Sequence, residues 1–447
     1  MRRLAILAVS GAVLLLSVAP AAAHVVPATT IELDVHESDI TATVTMPAAD
    51  LATASGIALP DGTFGASTSA QVNAYLRQHV ALTSDGEPWT VEVDDLAATR
   101  TEQWGTGAFP SVTAELTLVP PSADRMRAFT LVYDAIIHQV ITSDIFVTLH
   151  SDWSAGQVES VRDLGTITLD TRTGEVAPLE VDLDDGSMWQ GFAGMVRLGV
   201  SHIAEGTDHQ LFLLTLLLPA PLLAAGGRWN RTAPTGTAVR RITTITIAFT
   251  VGHSVTLVLG TLGLPVPQQP VEALIAASIL VAAAHAVRPV FPGREPIVAA
   301  VFGLVHGMAF STTLSSMDLS GTQLGLSLLG FNLGIEIMQL VVVLIVLPPL
   351  VVLARTRSYG PMRVTAAVVT AVAATGWLLD RLGVPNVAAR GADALGVGSP
   401  WIVGALWLGA AAVLATRGTT GLAAPYGNRA TRGAHHVRRR RGAPVAR

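Results

Sequence analysis

The chain is 447 residues long, half of them hydrophobic and only 14% charged, with a mean hydropathy of +0.50 and a formal net charge of −5. That profile excludes an ordinary soluble enzyme and fits a polytopic membrane protein that carries a soluble part. Cysteine is absent, which rules out a disulfide framework and thiolate ligands and leaves nitrogen and oxygen donors for nickel, cobalt, zinc or manganese.

Met1-Arg2-Arg3, the apolar run Leu4–Val18 and Pro20-Ala-Ala-Ala23 read as a secretory signal peptide over residues 1–23, cleaved before His24. Residues 24–187 then form an acidic, β-rich, sandwich-like domain placed outside the cytoplasm. Period-two alternation in Thr30–His36, Ile40–Thr45, Val112–Leu118 and Phe129–Tyr133 predicts its strands. Pro60-Asp-Gly62, Ser84-Asp-Gly86 and Thr173-Gly174 supply turns, and Ser69–Val80 is the one helical interruption. His36, His79, His138 and His150 are scattered without ligand spacing and read as structural. The acidic surface could gather cations, although a solvated surface is the more frequent reason for such charge.

Asp182-Leu-Asp-Asp-Gly186 marks the boundary, with Trp189 and Phe192 as interfacial aromatics. Residues 188–416 form a transmembrane domain of about seven helices, at approximately 196–218, 242–262, 271–288, 297–315, 323–350, 364–382 and 400–416. Arginines 228, 231, 240, 241, 288, 294, 355, 357 and 363 sit in alternate loops, which the positive-inside rule places in the cytoplasm. The basic tail, 417–447, belongs on the same side. It reads as a topology anchor, with no role in nucleic-acid binding. These signals together predict a multi-pass protein of the plasma membrane.

The spans carry an unusual number of ionisable groups. In the first, His202, Glu205 and His209 share a helix face, with Asp208 beside them. His253 is central in the second span, His306 in the fourth and Glu336 in the fifth, where Asn332 and Gln339 share the face of Glu336. Glu272 lies toward the outer end of the third span and His285 toward its inner end. Thr246, Thr250, His253 and Ser254 form a polar stripe. A carboxylate among lipid tails costs several kcal/mol (roughly) unless paired, hydrated or bound to a cation. A polar cluster that glues helices is the bland alternative. Midplane imidazole and carboxylate on several spans instead suggest a cation or proton site, with Glu205, Glu272, His285, Asn332 and Gln339 along the path. The pairs Gly303/Gly307 and Gly330/Gly334 are expected to bring His306 and Glu336 within reach.

Five ordered segments resemble the HupE/UreJ family: Ser201–Leu214, Phe249–Leu257, Val271–Ile279, Phe302–Gly307 and Phe331–Glu336. The likeness covers roughly residues 195–350 and points to the longer branch with an exported N-terminal domain. It implies a permease for a divalent metal, nickel or cobalt, with His202, Asp208, His209, His253, His306 and Glu336 handling the ion. No resident cofactor is required; the partners are the metal ion and the lipid bilayer. Two other readings stay open from the residues alone. One is an intramembrane zinc-dependent hydrolase, with Ser254 beside His253. The other is an extracytoplasmic binding or assembly protein that the spans merely anchor.

Overall fold

The computed structural model describes residues 27–59, 63–103, 106–158, 161–261, 267–315, 317, 319–397 and 399–419. The expected signal peptide, the Pro60-Asp-Gly62 turn and the basic tail beyond Thr419 lie outside the described residues.

The N-terminal region is β-rich, as its alternation requires. Its elements are β1 (Thr29–Val35), β2 (Ile40–Pro47), α1 (Ala48–Ser55), α2 (Ala66–His79), β3 (Val80–Ser84), β4 (Glu87–Pro88), β5 (Thr90–Gln103), β6 (Gly107–Val119), β7 (Ala128–Tyr133), β8 (Ile145–Asp152), β9 (Arg162–Ile167), β10 (Leu169–Asp170), β11 (Glu175–Val176) and β12 (Leu179–Asp182). One sheet has the order β5-β6-β2-β1-β8-β9 and a second the order β12-β7-β3-β4. Leu33, Ile40, Met46 and Leu116 from the first sheet share one core with Leu82, Leu131 and Tyr133 from the second. Every other residue of β1 and β2 is buried in that core, the period-two pattern made physical. Asp85 and Gly86, both in the left-handed region at φ 50 and φ 80, turn β3 into β4 as a tight hairpin demands. Helix α1 was not expected. It buries only Leu51, so it shows no hydrophobic period, and its signals are Pro47 before it and Gly56 (φ 68) closing it.

The C-terminal region is helical: α3 (Met188–Glu205), α4 (Thr207–Leu217), α5 (Thr235–Thr261), α6 (Gln268–Val287), α7 (Glu295–Ser315), α8 (Gly321–Leu353), α9 (Tyr359–Arg381), α10 (Val387–Val397) and α11 (Ser399–Thr419). Among the described residues four helices, α5, α6, α8 and α9, are long and apolar enough to cross a membrane. Shorter apolar stretches lie at Glu295–Phe310 and Pro400–Thr416.

Two sequence expectations need correction. The first expected span, 196–218, is not one helix; it breaks at Gly206 into α3 and α4. A β-carbon at Gly206 would lie 2.6 Å from the His202 carbonyl oxygen and 2.9 Å from His209 Nδ1, so the break needs glycine. The arginine-bearing loop after α4 is not plain loop but a hairpin, β13 (Leu222–Ala225) and β14 (Arg228–Thr232), turned at Gly226-Gly227. Pro348 and Pro349 lie inside α8, which continues to Leu353.

The glycine pairs do allow helices to touch. Gly303 and Gly307 seat α7 on α5: their β-carbons would lie 2.1 and 2.2 Å from the carbonyl oxygens of Phe249 and His253. Gly330 and Gly334 seat α8 on α3, against the carbonyls of Phe192 and Val196. The two regions of the chain also interlock. Trp153, just after β8, is buried with Met195, Leu198 and Phe331, and its indole donates to Ser327 Oγ at 2.8 Å. Arg197 donates to the Gly156 carbonyl at 3.2 Å.

Replacing Gly303 with leucine forces α5 and α7 apart and is expected to cost about 1–3 kcal/mol or more. Thermal unfolding in detergent should show a clearly lowered midpoint. Gly404→Leu, at a position with no atom within 4 Å of a new β-carbon, should leave it unchanged.

Candidate functional site

Four imidazoles from four helices meet in the helical region. His202 lies in the last turn of α3, His209 in the first turn of α4, and His253 and His306 lie inside α5 and α7. Ring centroids are 4.6 Å apart for His202 and His209, 5.1 Å for His209 and His306, and 6.3 Å for His202 and His253. His253 and His306 are fully buried and His209 nearly so. Phe212, Phe249, Phe310 and Phe331 pack around the rings and keep the interior apolar. Each phenylalanine lies within 5.5 Å of at least one imidazole centroid, which leaves little room for bulk water between them.

The hydrogen-bond network assigns the tautomers. Asp208 Oδ1 accepts from the His209 backbone N–H and lies 2.9 Å from His209 Nδ1. A carboxylate only accepts, so Nδ1 carries the proton and Nε2 presents a lone pair. His306 Nε2 lies 3.0 Å from Ser278 Oγ, whose own hydrogen goes to the Ile275 carbonyl at 2.7 Å. Nε2 of His306 is therefore the donor and its Nδ1 the lone pair. These two lone pairs, His209 Nε2 and His306 Nδ1, face each other at 3.5 Å. Two acceptors at that distance repel unless a proton or a cation sits between them. Two nitrogens on a tetrahedral metal with bonds of about 2.1 Å would be about 3.4 Å apart. Nearby, His202 Nε2 and both ring nitrogens of His253 are buried without a hydrogen-bond partner among the described residues. Buried polar atoms left unpaired are costly, and three of them fall on two imidazoles of this interior.

No three His, Asp or Glu side chains among the described residues stand close enough to form a complete metal centre. The cluster is a loose one, with Asp208 supplying its charge. Glu336 is not in it. Its Oε2 accepts from Thr250 Oγ1 at 2.8 Å, Asn332 Oδ1 accepts from Ser254 Oγ at 2.6 Å, and Gln339 Oε1 lies 3.4 Å from Thr250 Oγ1. The acidic face of α8 thus meets the polar stripe of α5, and the Ser254 hydroxyl is directed at α8 and the Thr250 carbonyl. Gln339 does share a small enclosed cavity with His209 and Thr246.

The remaining expected path residues fall into three separate places. Glu272 and Asp208 line a cavity of about 230 Å³ with Thr207, Trp377 and Arg381, and Arg381 Nε lies 2.5 Å from Glu272 Oε2. Glu205 is exposed, in a cleft where Arg197 and Ser201 of α3 face Gly156. His285 is remote from the other imidazoles. It stacks on Phe291 at 3.9 Å, and its Nε2 lies 3.7 Å from Glu295, which is paired with Arg241. Sequence reasoning missed Ser278 and Arg381. Ser278 is a serine within an apolar helix and Arg381 resembled an ordinary loop charge; neither carries a local signal.

Helices long and apolar enough to cross a membrane thus close around convergent ionisable groups. Residues 179–381, from β12 to the end of α9, match the family model described as HupE / UreJ protein. The chain therefore carries a HupE/UreJ family domain, and that domain contains every residue of the cluster. No curated protein matches the chain.

The Asp208 contact with His209 is a hydrogen bond to a charged group, worth about 1.5–3 kcal/mol. Histidine ¹⁵N NMR should accordingly show His209 as the Nδ1–H tautomer, with more than tenfold excess. In Asp208→Asn the two tautomers should mix; an unchanged spectrum would remove the assignment.

Proposed function

We propose that the chain is a permease for a divalent transition-metal cation, nickel or cobalt, which passes through the His202/Asp208/His209/His253/His306 cluster. The observation that carries this reading is the pair of facing lone pairs on His209 and His306, beside a carboxylate and two further imidazoles with unpaired nitrogens. Imidazole and carboxylate suit a borderline divalent ion, and the match to a family associated with metal uptake supports the same class of cargo.

The physical logic is exchange of hydration for ligands. A divalent ion entering an apolar interior must replace the water it sheds, and neutral imidazoles do so without adding like charge. Asp208 offsets part of the ion's charge. It faces the cavity shared with Glu272 and Arg381, which makes that cavity the approach to the cluster. Beyond His209, the small cavity with Thr246 and Gln339 continues the line toward the α5–α8 interface and Glu336. An incomplete ligand set fits transit, because a pathway has to release what it binds. In this reading the β domain lies outside the cell membrane and the arginine-bearing loops lie in the cytoplasm, as their charge demands.

Uptake of radioactive nickel, cobalt and zinc, measured side by side in cells expressing the chain, tests the proposal. The parent should accumulate nickel or cobalt above vector controls. Asp208→Asn, His209→Ala and His306→Ala should each reduce uptake at least tenfold, the equivalent of about 1.4 kcal/mol or more. Equal uptake in all three variants would defeat the site assignment, and no uptake by a folded parent would defeat the function.

A further inference from the structure

The cavity that Asp208 faces holds a charge arrangement that ligation by the imidazoles does not use. Asp208 of α4, Glu272 of α6 and Arg381 of α9 line about 230 Å³ of space, with Ile275, Ile279 and Trp377 as apolar wall. All three charged residues lie near helix ends: Asp208 in the first turn of α4, Glu272 near the start of α6, and Arg381 as the last residue of α9. Their side chains keep 33%, 28% and 38% of their surface accessible, whereas His209, held by Asp208, is buried. The cavity is therefore open at the charged residues and closed by the imidazole.

Arg381 bridges two carboxylates. Its Nε lies 2.5 Å from Glu272 Oε2, and its Nη1 lies 3.1 Å from Asp380 Oδ2. The other Glu272 oxygen, Oε1, accepts from Gln268 Nε2 at 2.9 Å. Each member of the pair thus has a second tether. The guanidinium can leave Glu272 and keep Asp380, and Glu272 without the guanidinium stays aimed by Gln268.

Holding α6 against α9 does not require this pair. Those helices already pack through Ile275, Ala276 and Ile279 on one side and Ala373, Ala374 and Trp377 on the other. A part-exposed ion pair adds only about 0–1 kcal/mol to such packing. Its charge, by contrast, acts across the whole cavity. Two carboxylates and one guanidinium line it, so one negative charge is left uncompensated. A cation moving toward Asp208 is drawn by that charge and repelled by Arg381 unless it takes the guanidinium's place. A monovalent ion offers Glu272 no more charge than the guanidinium does, and it lacks the fork of N–H donors. A divalent ion offers twice the charge.

We propose that Arg381 is a specificity-determining residue of the metal entrance. Its guanidinium occupies Glu272 until a divalent cation displaces it onto Asp380, and monovalent ions, unable to displace it, stay out. The inference rests on the permease reading and adds to it the residue that selects by charge ahead of the imidazoles.

Uptake kinetics of radioactive nickel and cobalt in cells expressing the full chain test it. Arg381→Gln should lower KM about threefold or more and let sodium compete, whereas Glu272→Gln should raise KM by a similar factor. A tie between helices, cut from either side, would shift KM the same way, so shifts in one direction overturn the proposal. A second measurement needs no transport. The chain has no cysteine, so Thr207→Cys places a single thiol on the cavity wall. Its labelling in detergent by a cationic and by an anionic methanethiosulfonate gives a rate ratio that cancels the thiol's own reactivity. The cationic reagent should be the faster; adding Arg381→Gln should raise the ratio about threefold, and adding Glu272→Gln should lower it. A ratio that Arg381→Gln leaves unchanged rules the gate out. If the parent takes up no metal while the ratio moves as stated, the permease reading fails and charge control by Arg381 stands.

Discussion

Close approach of helix backbones is the constraint from which the rest of the site follows. Imidazoles are short, and four of them from four helices can meet only if the helices carrying them nearly touch. The chain places the residue that permits contact next to the residue that uses it. Gly252 precedes His253, Gly307 follows His306, Gly199 lies one turn before His202, and Gly206 stands between His202 and His209. With so little backbone separation, dispersion contacts between facing main chains stabilise the bundle where no hydrophobic force between helices exists in lipid.

The second constraint is electrostatic. The cluster holds four imidazoles and one carboxylate in a shell of phenylalanines, and its neutral rings avoid the cost of several buried like charges. Asp208 sits in the first turn of α4, where the helix dipole favours negative charge, and it accepts from both the backbone and the ring of His209, which it orients. Glu336 and Glu295 are managed differently, the first by a threonine hydroxyl and the second by an arginine. Three buried or half-buried acids in the same helical region thus have three kinds of partner, and only that of Asp208 leaves a lone pair pointing onward.

Much of this was legible in the residues. Alternation revealed the strands, because β1 and β2 bury one face strictly, and apolar length revealed the long helices. The imidazole-bearing positions were visible because ionisable groups are rare in apolar runs. What stayed hidden depends on contacts between segments distant in the chain. Nothing local shows that Gly303/Gly307 face α5 while Gly330/Gly334 face α3. The break at Gly206 was masked by the apolar residues on both sides, which read as one span. His79 and His138, 59 residues apart, were taken as scattered; only the pairing of β3 with β7 brings them side by side. His285, expected on the path, is captured by the aromatic rings of Trp229 and Phe291, which no periodicity announces.

The indole of Trp153 has a mechanical consequence. It is wedged between α3, which ends at His202, and α8, which carries Glu336, and its one polar atom is tied to Ser327. The two helices cannot slide past each other without first pulling that ring out of its socket and leaving an N–H stranded in an apolar surrounding. Any rearrangement of the helices along this seam would therefore pull on the strand that precedes the indole.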